Sequence, residues 1–319
     1  MIYTLLLLLL PALYLLAIRC RRGHPGLAAL RGWNYAHRGL HDKPRIPENS
    51  MAAFRAALDR GYGIELDIHL LKDGQLAVIH DSTLKRTTGA EGRIEDLTVA
   101  DLADYRLEGT QEVIPTFREV LDLYAGKAPL IIELKPVGNN HGALTDAAVA
   151  AMEGYEGPWC MESFDPRCLM VLRKKYPHII RGQLSEDFPR NNPKMPRVLA
   201  FVLKHHLENF LTVPDFVAYR FDQRKSTPSN ALCRKFWGAQ GVAWTLRKPE
   251  DHPVAVAEGW LPIFEGFRPD IGQVLRKRQR AGKTLAAVER AGVDRGYAVR
   301  NDHACYVVTF FKRCFTDVG

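Results

Sequence analysis

Three carboxylates, two imidazoles and two cations stand in three short stretches of this chain: His37-Arg38, Glu65-Leu66-Asp67 with His80 downstream, and Glu133-Leu134-Lys135. Glu65, Asp67 and Glu133 are hard oxygen donors, too acidic to share one pocket without a compensating cation. They suit Mg2+ or Ca2+ completed by water and substrate oxygens, whereas zinc recruits imidazole or thiolate. Arg38 has a forked donor set and Lys135 is a compact charge, so both suit an anionic, phosphate-like substrate. His37 and His80 carry side chains that titrate near pH 6.5, about the working range, so one can take a proton from an attacking hydroxyl while the other protonates the leaving oxygen. Residue types alone leave open which does which. The chemistry implied is metal-assisted displacement at phosphorus, with the charge that develops there offset by cation and bases.

Those residues need elements that bring them together. Asp73-Gly74 is a favoured hairpin dipeptide, flanked by alternating apolar and polar residues. Pairing Lys72 with Gln75 sets Asp67 opposite His80, with Glu65 one pleat away on the same face. His69 falls on that face too and is expected to sit behind the pocket or at the surface. So tight a turn cannot join parallel neighbours, which makes residues 75–80 an antiparallel excursion. Strands are expected at 33–36, 64–68, 130–134, 159–163, 179–184, 216–219, 241–245 and 261–264, alternating with helices such as 51–60, 117–124, 143–152, 168–176 and 229–237. Such an alternation predicts an α/β fold, a TIM-like (β/α)8 barrel, with a doubly wound open sheet as the structural alternative. In a barrel, His37, Glu65, Asp67, Glu133 and Lys135 lie at or near strand C-termini, which converge on one mouth.

The order His37-Arg38-Gly39, Pro47-Glu48-Asn49, Glu65-Leu66-Asp67, Lys72-Asp73-Gly74, His80-Asp81 and Glu133-Leu134-Lys135 resembles the glycerophosphodiester phosphodiesterase family. Arg86-Thr87-Thr88-Gly89, Ile114-Pro115-Thr116, Ser163-Phe164-Asp165 and Trp244-Thr245 are fainter echoes of its pattern. The resemblance is strong to about residue 165. It implies a barrel with a small insertion after the second strand, a divalent metal on the three acids, and hydrolysis of a glycerophosphodiester to glycerol 3-phosphate and an alcohol. Near the end the chain departs: where the family usually has Thr-Asp or Thr-Asn before proline, Phe264-Glu265-Gly266-Phe267-Arg268-Pro269 stands here, so one wall of the pocket is expected to differ.

Residues 2–18 carry no charge and include six consecutive leucines, followed by Arg19, Arg21 and Arg22. This pattern predicts a transmembrane anchor over 1–20, a linker over 21–32, the phosphodiesterase barrel over 33–271 and a basic tail over 272–319, with the barrel on the cytoplasmic side of the bilayer. The tail holds ten Lys/Arg against four acids, most of the formal +8 of the 319-residue chain. No nucleic-acid motif accompanies it, so anionic lipid is the expected partner and nucleic acid is not. Six cysteines without CxxC spacing suggest free thiols. The leading expectation is a membrane-anchored enzyme acting on glycerophosphodiesters or lysophospholipids. A lysophospholipase D-type reaction through a cyclic phosphate is the alternative, and a non-catalytic barrel that binds anionic headgroups is the competitor from another class.

Overall fold

The computed structural model describes residues 2–270, with side chains from residue 9 onward; the expected basic tail lies outside the described residues. Eight parallel strands form a closed barrel in the order β1 (Tyr35–His37), β2 (Gly63–Leu70), β4 (Leu130–Leu134), β5 (Trp159–Ser163), β6 (Arg181–Ser185), β7 (Phe216–Arg220), β8 (Gln240–Leu246) and β9 (Trp260–Phe264). β1 pairs with both β2 and β9, which closes the sheet. The open-sheet alternative is thereby removed. Alternation along β2 explains how one strand serves two masters: Ile64, Leu66 and Ile68 join the apolar layer under the helices, while Glu65 and Asp67 occupy the other parity. The turn after β1 shows why the His-Arg-Gly run ends as it does. Gly39 has φ +81°, and a Cβ there would come within 2.8 Å of the Ala53 Cβ on the Met51–Asp59 helix. That helix starts where the sequence indicates, since Ser50 Oγ accepts from the Ala53 N–H at 3.1 Å.

The excursion after β2 is antiparallel as expected, but its register is not. Leu71 N–H donates to Gln75 O, and β2 pairs with β3 (Leu76–Val78) as Ile68↔Val78 and Leu70↔Leu76. The loop therefore holds three residues, with Gly74 at φ +81°, and every pairing slips by one from the Lys72–Gln75 expectation. Asp67 O accepts from Ile79 N–H, so His80 does not reach the mouth by cross-strand pairing; it gets there because β3 ends at Val78 and the chain turns. Residues of this insertion bury a small core of their own around Ile79, Leu84, Ile94 and Leu102.

A second correction concerns the N-terminus. Among the described residues no helix is long and apolar enough to cross a membrane. The first helix, Ile2–Ala17, has 16 residues, about 24 Å at the α-helical rise against a hydrocarbon core of about 30 Å. Its end is claimed by the barrel instead. Ile18 and Cys20 are buried against Val217, Cys233 and Ala239, and Trp237 Nε1 donates to Leu15 O at 3.0 Å. Arg21 pairs with Asp215 at 2.5 Å, and Arg22 lies 5.3 Å over the Trp237 ring. Two of the three arginines expected to flank a bilayer are thus engaged with the barrel.

Glu208 lies near Cys233. It is buried, neither carboxyl oxygen has a hydrogen-bond partner, and burial pushes its carboxyl up from 4.5 to about 8. A folded value above the unfolded one gives stability that is full below pH 4.5 and is lost as pH climbs through 8. Glu208→Gln is expected to flatten the fall of Tm between about pH 4.5 and 8 in a series of thermal melts, a gain on the order of 2–4 kcal/mol once the carboxylate would have ionised. A fall as steep as in the parent over that range would acquit Glu208.

Candidate active site

Parallel register does most of the assembly at the mouth. His37 on β1 stands beside Glu65 on β2, Asp67 stands beside Glu133 on β4, and Glu133 beside Glu162 on β5. Oxygens of Glu65, Asp67 and Glu133 lie within 4.8 Å of one another, and all three side chains are buried. Lys135 Nζ is 3.0 Å from Glu133 Oε1 and 3.5 Å from Asp67 Oδ1, and Arg38 Nε is 3.4 Å from Asp67 Oδ2. Asn49 Nδ2 donates to Asp67 Oδ2 at 2.9 Å. Arg38 and Asn49 both adopt positive φ, +54° and +52°, and the Asn49 N–H donates to Arg38 O at 2.9 Å. Arginine rarely takes that conformation, so surrounding bonds must hold it there. One is the Arg38–Glu48 pair at 2.8 Å; Glu48 also receives Lys43 at 2.6 Å and Arg86 at 2.7 Å.

Each expected proton carrier is held by a carboxylate on Nδ1. His37 Nδ1 is 2.6 Å from Glu265 Oε2, and His80 Nδ1 is 2.5 Å from Asp81 Oδ1. Burial, helped by the Arg38 charge, lowers His37 to about 4, so it is neutral at working pH. Glu265 is ionised: burial would raise it, but the His37 bond and Arg247 outweigh that and leave it at about 2. An ionised carboxylate can only accept, so the His37 proton sits on Nδ1 and Nε2 keeps its lone pair. Nε2 is 3.8 Å from Glu65 Oε2, which places it at the acidic cluster. His80 is also lowered, chiefly by burial, though Asp67 and Asp81 pull the other way. His69 is not a third carrier. It is buried, with Nδ1 2.8 Å from Glu95 Oε1 and Nε2 3.2 Å from His80 O, and so fixes the backbone that presents His80.

A sequence model of the glycerophosphoryl diester phosphodiesterase family matches residues 37–265, from the first site histidine to the carboxylate that holds it. The chain belongs to this family. A glycerophosphodiester phosphodiesterase of Caldanaerobacter subterraneus is 36% identical over 161 residues, 47% of this chain and 65% of the relative, and one of Bacillus altitudinis is 36% identical over 48% of this chain and 66% of the relative. The aligned part thus spans a little under two thirds of these relatives' length. A lysophospholipase D of Rattus norvegicus is 38% identical over 106 residues, 29% of this chain and 33% of the relative. Among solved structures, an Oleispira antarctica phosphodiesterase in complex with sn-glycerol-3-phosphate superposes with TM-score 0.59 at 22% identity, covering 79% of this chain and 96% of that one, a likeness of fold.

Within this member of the glycerophosphoryl diester phosphodiesterase family, the acidic cluster fits a divalent cation. Asp67 Oδ1 is buried and accepts no hydrogen bond. Burial and the neighbouring acids push Glu65 well above the usual carboxylate range, and burial leads in raising Glu133 to about 7, so a positive charge among them would relieve both. Asp67 stays ionised because Lys135, His80, Arg38 and the Asn49 amide outweigh its burial.

All seven residues expected from sequence converge here: His37, His80, Arg38, Lys135, Glu65, Asp67 and Glu133. Four partners were missed. Glu48 and Asn49 stood in the Pro47-Glu48-Asn49 motif without a role at the site, and Asp81 as half of a His-Asp pair. Glu265 appeared as a departure from the family pattern, with no local signal tying it to His37 across 228 positions. It holds the His37 ring by Nδ1. Glu265→Gln is expected to lower kcat by about 10- to 100-fold with little change in KM, by freeing the His37 tautomer. Glu265→Asp should restore part of it, and unchanged kcat in the glutamine variant would refute the assignment.

Proposed function

We propose that this protein is a divalent-metal-dependent phosphodiesterase that cleaves glycerophosphodiesters, lysophospholipids among them, to glycerol 3-phosphate or its acylated form and an alcohol. The supporting observation is the meeting of three buried acids, two cations and two carboxylate-held imidazoles at one barrel mouth. Glu65, Asp67 and Glu133 would hold Mg2+ or Ca2+, which supplies charge stabilisation at the phosphoryl oxygens. Arg38 and Lys135 bind the remaining phosphate charge. His37, neutral with a free Nε2, takes the proton of the attacking water. His80 returns a proton to the leaving oxygen; its side chain is 30% exposed and so can be reprotonated from solvent.

The partial match to a lysophospholipase D supports including lysolipids, and a substrate hydroxyl could then replace water as nucleophile. Phosphorus NMR of the product separates the two, since internal attack gives a cyclic phosphate. Membrane association is part of the same reading: the N-terminal helix turns Leu10, Leu13 and Leu16 outward, and its length suits partial insertion better than crossing. The decisive assay incubates the full-length protein with glycerophosphocholine. Glycerol 3-phosphate should appear with Mg2+ or Ca2+ and vanish in excess chelator. No release with either ion would reject the activity, and release in chelator would reject the metal.

A further inference from the structure

A short amphipathic helix at the rim has no role in the chemistry above. The Arg197–Lys204 helix lies at the barrel mouth, because Ser185 Oγ at the end of β6 donates to Leu203 O at 2.8 Å and Lys204 pairs with Asp187 at 2.8 Å. Its inner face, Ala200 and Leu203, packs on Phe188, with Phe164 and Met195 against the same cluster. Phe164 follows β5 directly, and its ring meets Phe188 edge-on at 6.0 Å and Trp244 of β8 at 5.4 Å. An apolar path therefore runs from the strand ends of β5 and β8 out to this helix.

The outer face continues it into solvent. Val198 is 78% exposed, Leu199 45% and Phe201 54%, three large apolar side chains on a helix of 8 residues. Isolated exposed apolar residues are ordinary, but a contiguous set beside a substrate mouth marks a contact surface. Charge says what kind. Arg190, Lys194 and Arg197 are exposed in the same segment, and among the described residues they form no ion pair with an acid. Its two acids are already neutralised, Asp187 by Lys204 and Glu186 by Arg220 at 3.4 Å. Apolar side chains with unpaired cations beside them suit the boundary between acyl chains and anionic headgroups.

We infer that the segment from Arg190 to Phe201 docks the barrel mouth onto a phospholipid surface bearing anionic headgroups, with Val198, Leu199 and Phe201 inserted and Arg190, Lys194 and Arg197 at headgroup level. This deepens the reading of the site as a lysolipid-cleaving phosphodiesterase and rests on it. The surface delivers a lipid substrate with its headgroup toward the acids and its apolar part along Phe164 and Trp244.

The test uses the full chain, phosphatidylcholine vesicles with and without phosphatidylserine, and three substitution sets. Val198→Ser with Phe201→Ser should lower the vesicle-bound fraction by about tenfold. It should lower turnover of micellar lysophosphatidylcholine in parallel and leave hydrolysis of soluble glycerophosphocholine unchanged. Arg190→Gln, Lys194→Gln and Arg197→Gln together should abolish the preference for phosphatidylserine. Leu10→Ser with Leu13→Ser, on the N-terminal helix, should leave the phosphatidylserine preference in place. If the rim pair binds vesicles like the parent, if the parent binds none, or if light scattering shows that the rim pair only dissolves a dimer, the inference is overturned. Loss of glycerophosphocholine hydrolysis in the parent would instead strike the proposed activity, because vesicle binding is read without turnover.

Discussion

Asp67→Asn is expected to leave the barrel folded and to weaken binding of the divalent cation proposed for the acidic cluster: calorimetric titration with Mg2+ or Ca2+ should show affinity lowered by about 100-fold or more, and kcat/KM should fall by about 10³-fold. Asparagine is the informative substitution because Asp67 has two jobs. It faces Lys135, Arg38 and the Asn49 amide, so alanine would open a gap beside these donors and leave the Asn49 amide without its acceptor, at a cost of about 1–3 kcal/mol. An amide of the same shape removes the charge while still filling the space and offering one acceptor oxygen. Asp67 is also the one of the three acids whose ionised form is favoured by its surroundings, since Glu65 and Glu133 are pushed up. Its charge is therefore the standing attraction for an incoming ion. An asparagine variant with parental metal affinity and turnover would show that the ion binds elsewhere or that none is needed.

His37→Ala and His80→Ala are each expected to lower kcat by about 10³-fold with metal affinity unchanged, and the leaving group should tell them apart. An alkoxide needs a proton as it departs, whereas p-nitrophenolate is a good leaving group without one. On a p-nitrophenyl phosphodiester the His80 variant should recover most of its deficit, and the His37 variant should not. Equal recovery by both, or recovery by His37→Ala alone, would reverse the assignment. The structural basis is the contrast between them: burial lowers both, but His37 is enclosed and brought down to about 4, while the His80 side chain is 30% exposed and has Asp67 and Asp81 opposing its burial.

Local pattern carried most of this. Alternation along 64–68 put Glu65 and Asp67 on one face whatever the partner strand, because side chains alternate with period two. The strand–helix rhythm pointed to a barrel, with an open sheet as the alternative that the pairing of β1 with β9 removes, and the barrel placed Glu133 and Lys135 at the same mouth. What failed depended on details that alternation does not encode. Lys72-Asp73-Gly74 admits either a two- or a three-residue loop, and the loop chosen shifted the register while a bend after β3 still delivered His80. Leucines at the N-terminus have the same composition whether they face lipid or protein, so the burial of Ile18 and the Arg21–Asp215 pair could not be foreseen. Glu265 closes the ring from the last strand onto a histidine in the first, a contact made only when the sheet closes.

The seating of the leading helix has a practical outcome for anyone trimming this protein. A cut before the barrel, near residue 32, would uncover Val217, Cys233 and Ala239, remove the Arg21 that pairs with Asp215 and take from the Trp237 indole the carbonyl it donates to. The shortened polypeptide would then be prone to clumping, and its poor behaviour would mimic the stickiness of a membrane protein although the fault lay in a missing structural strut.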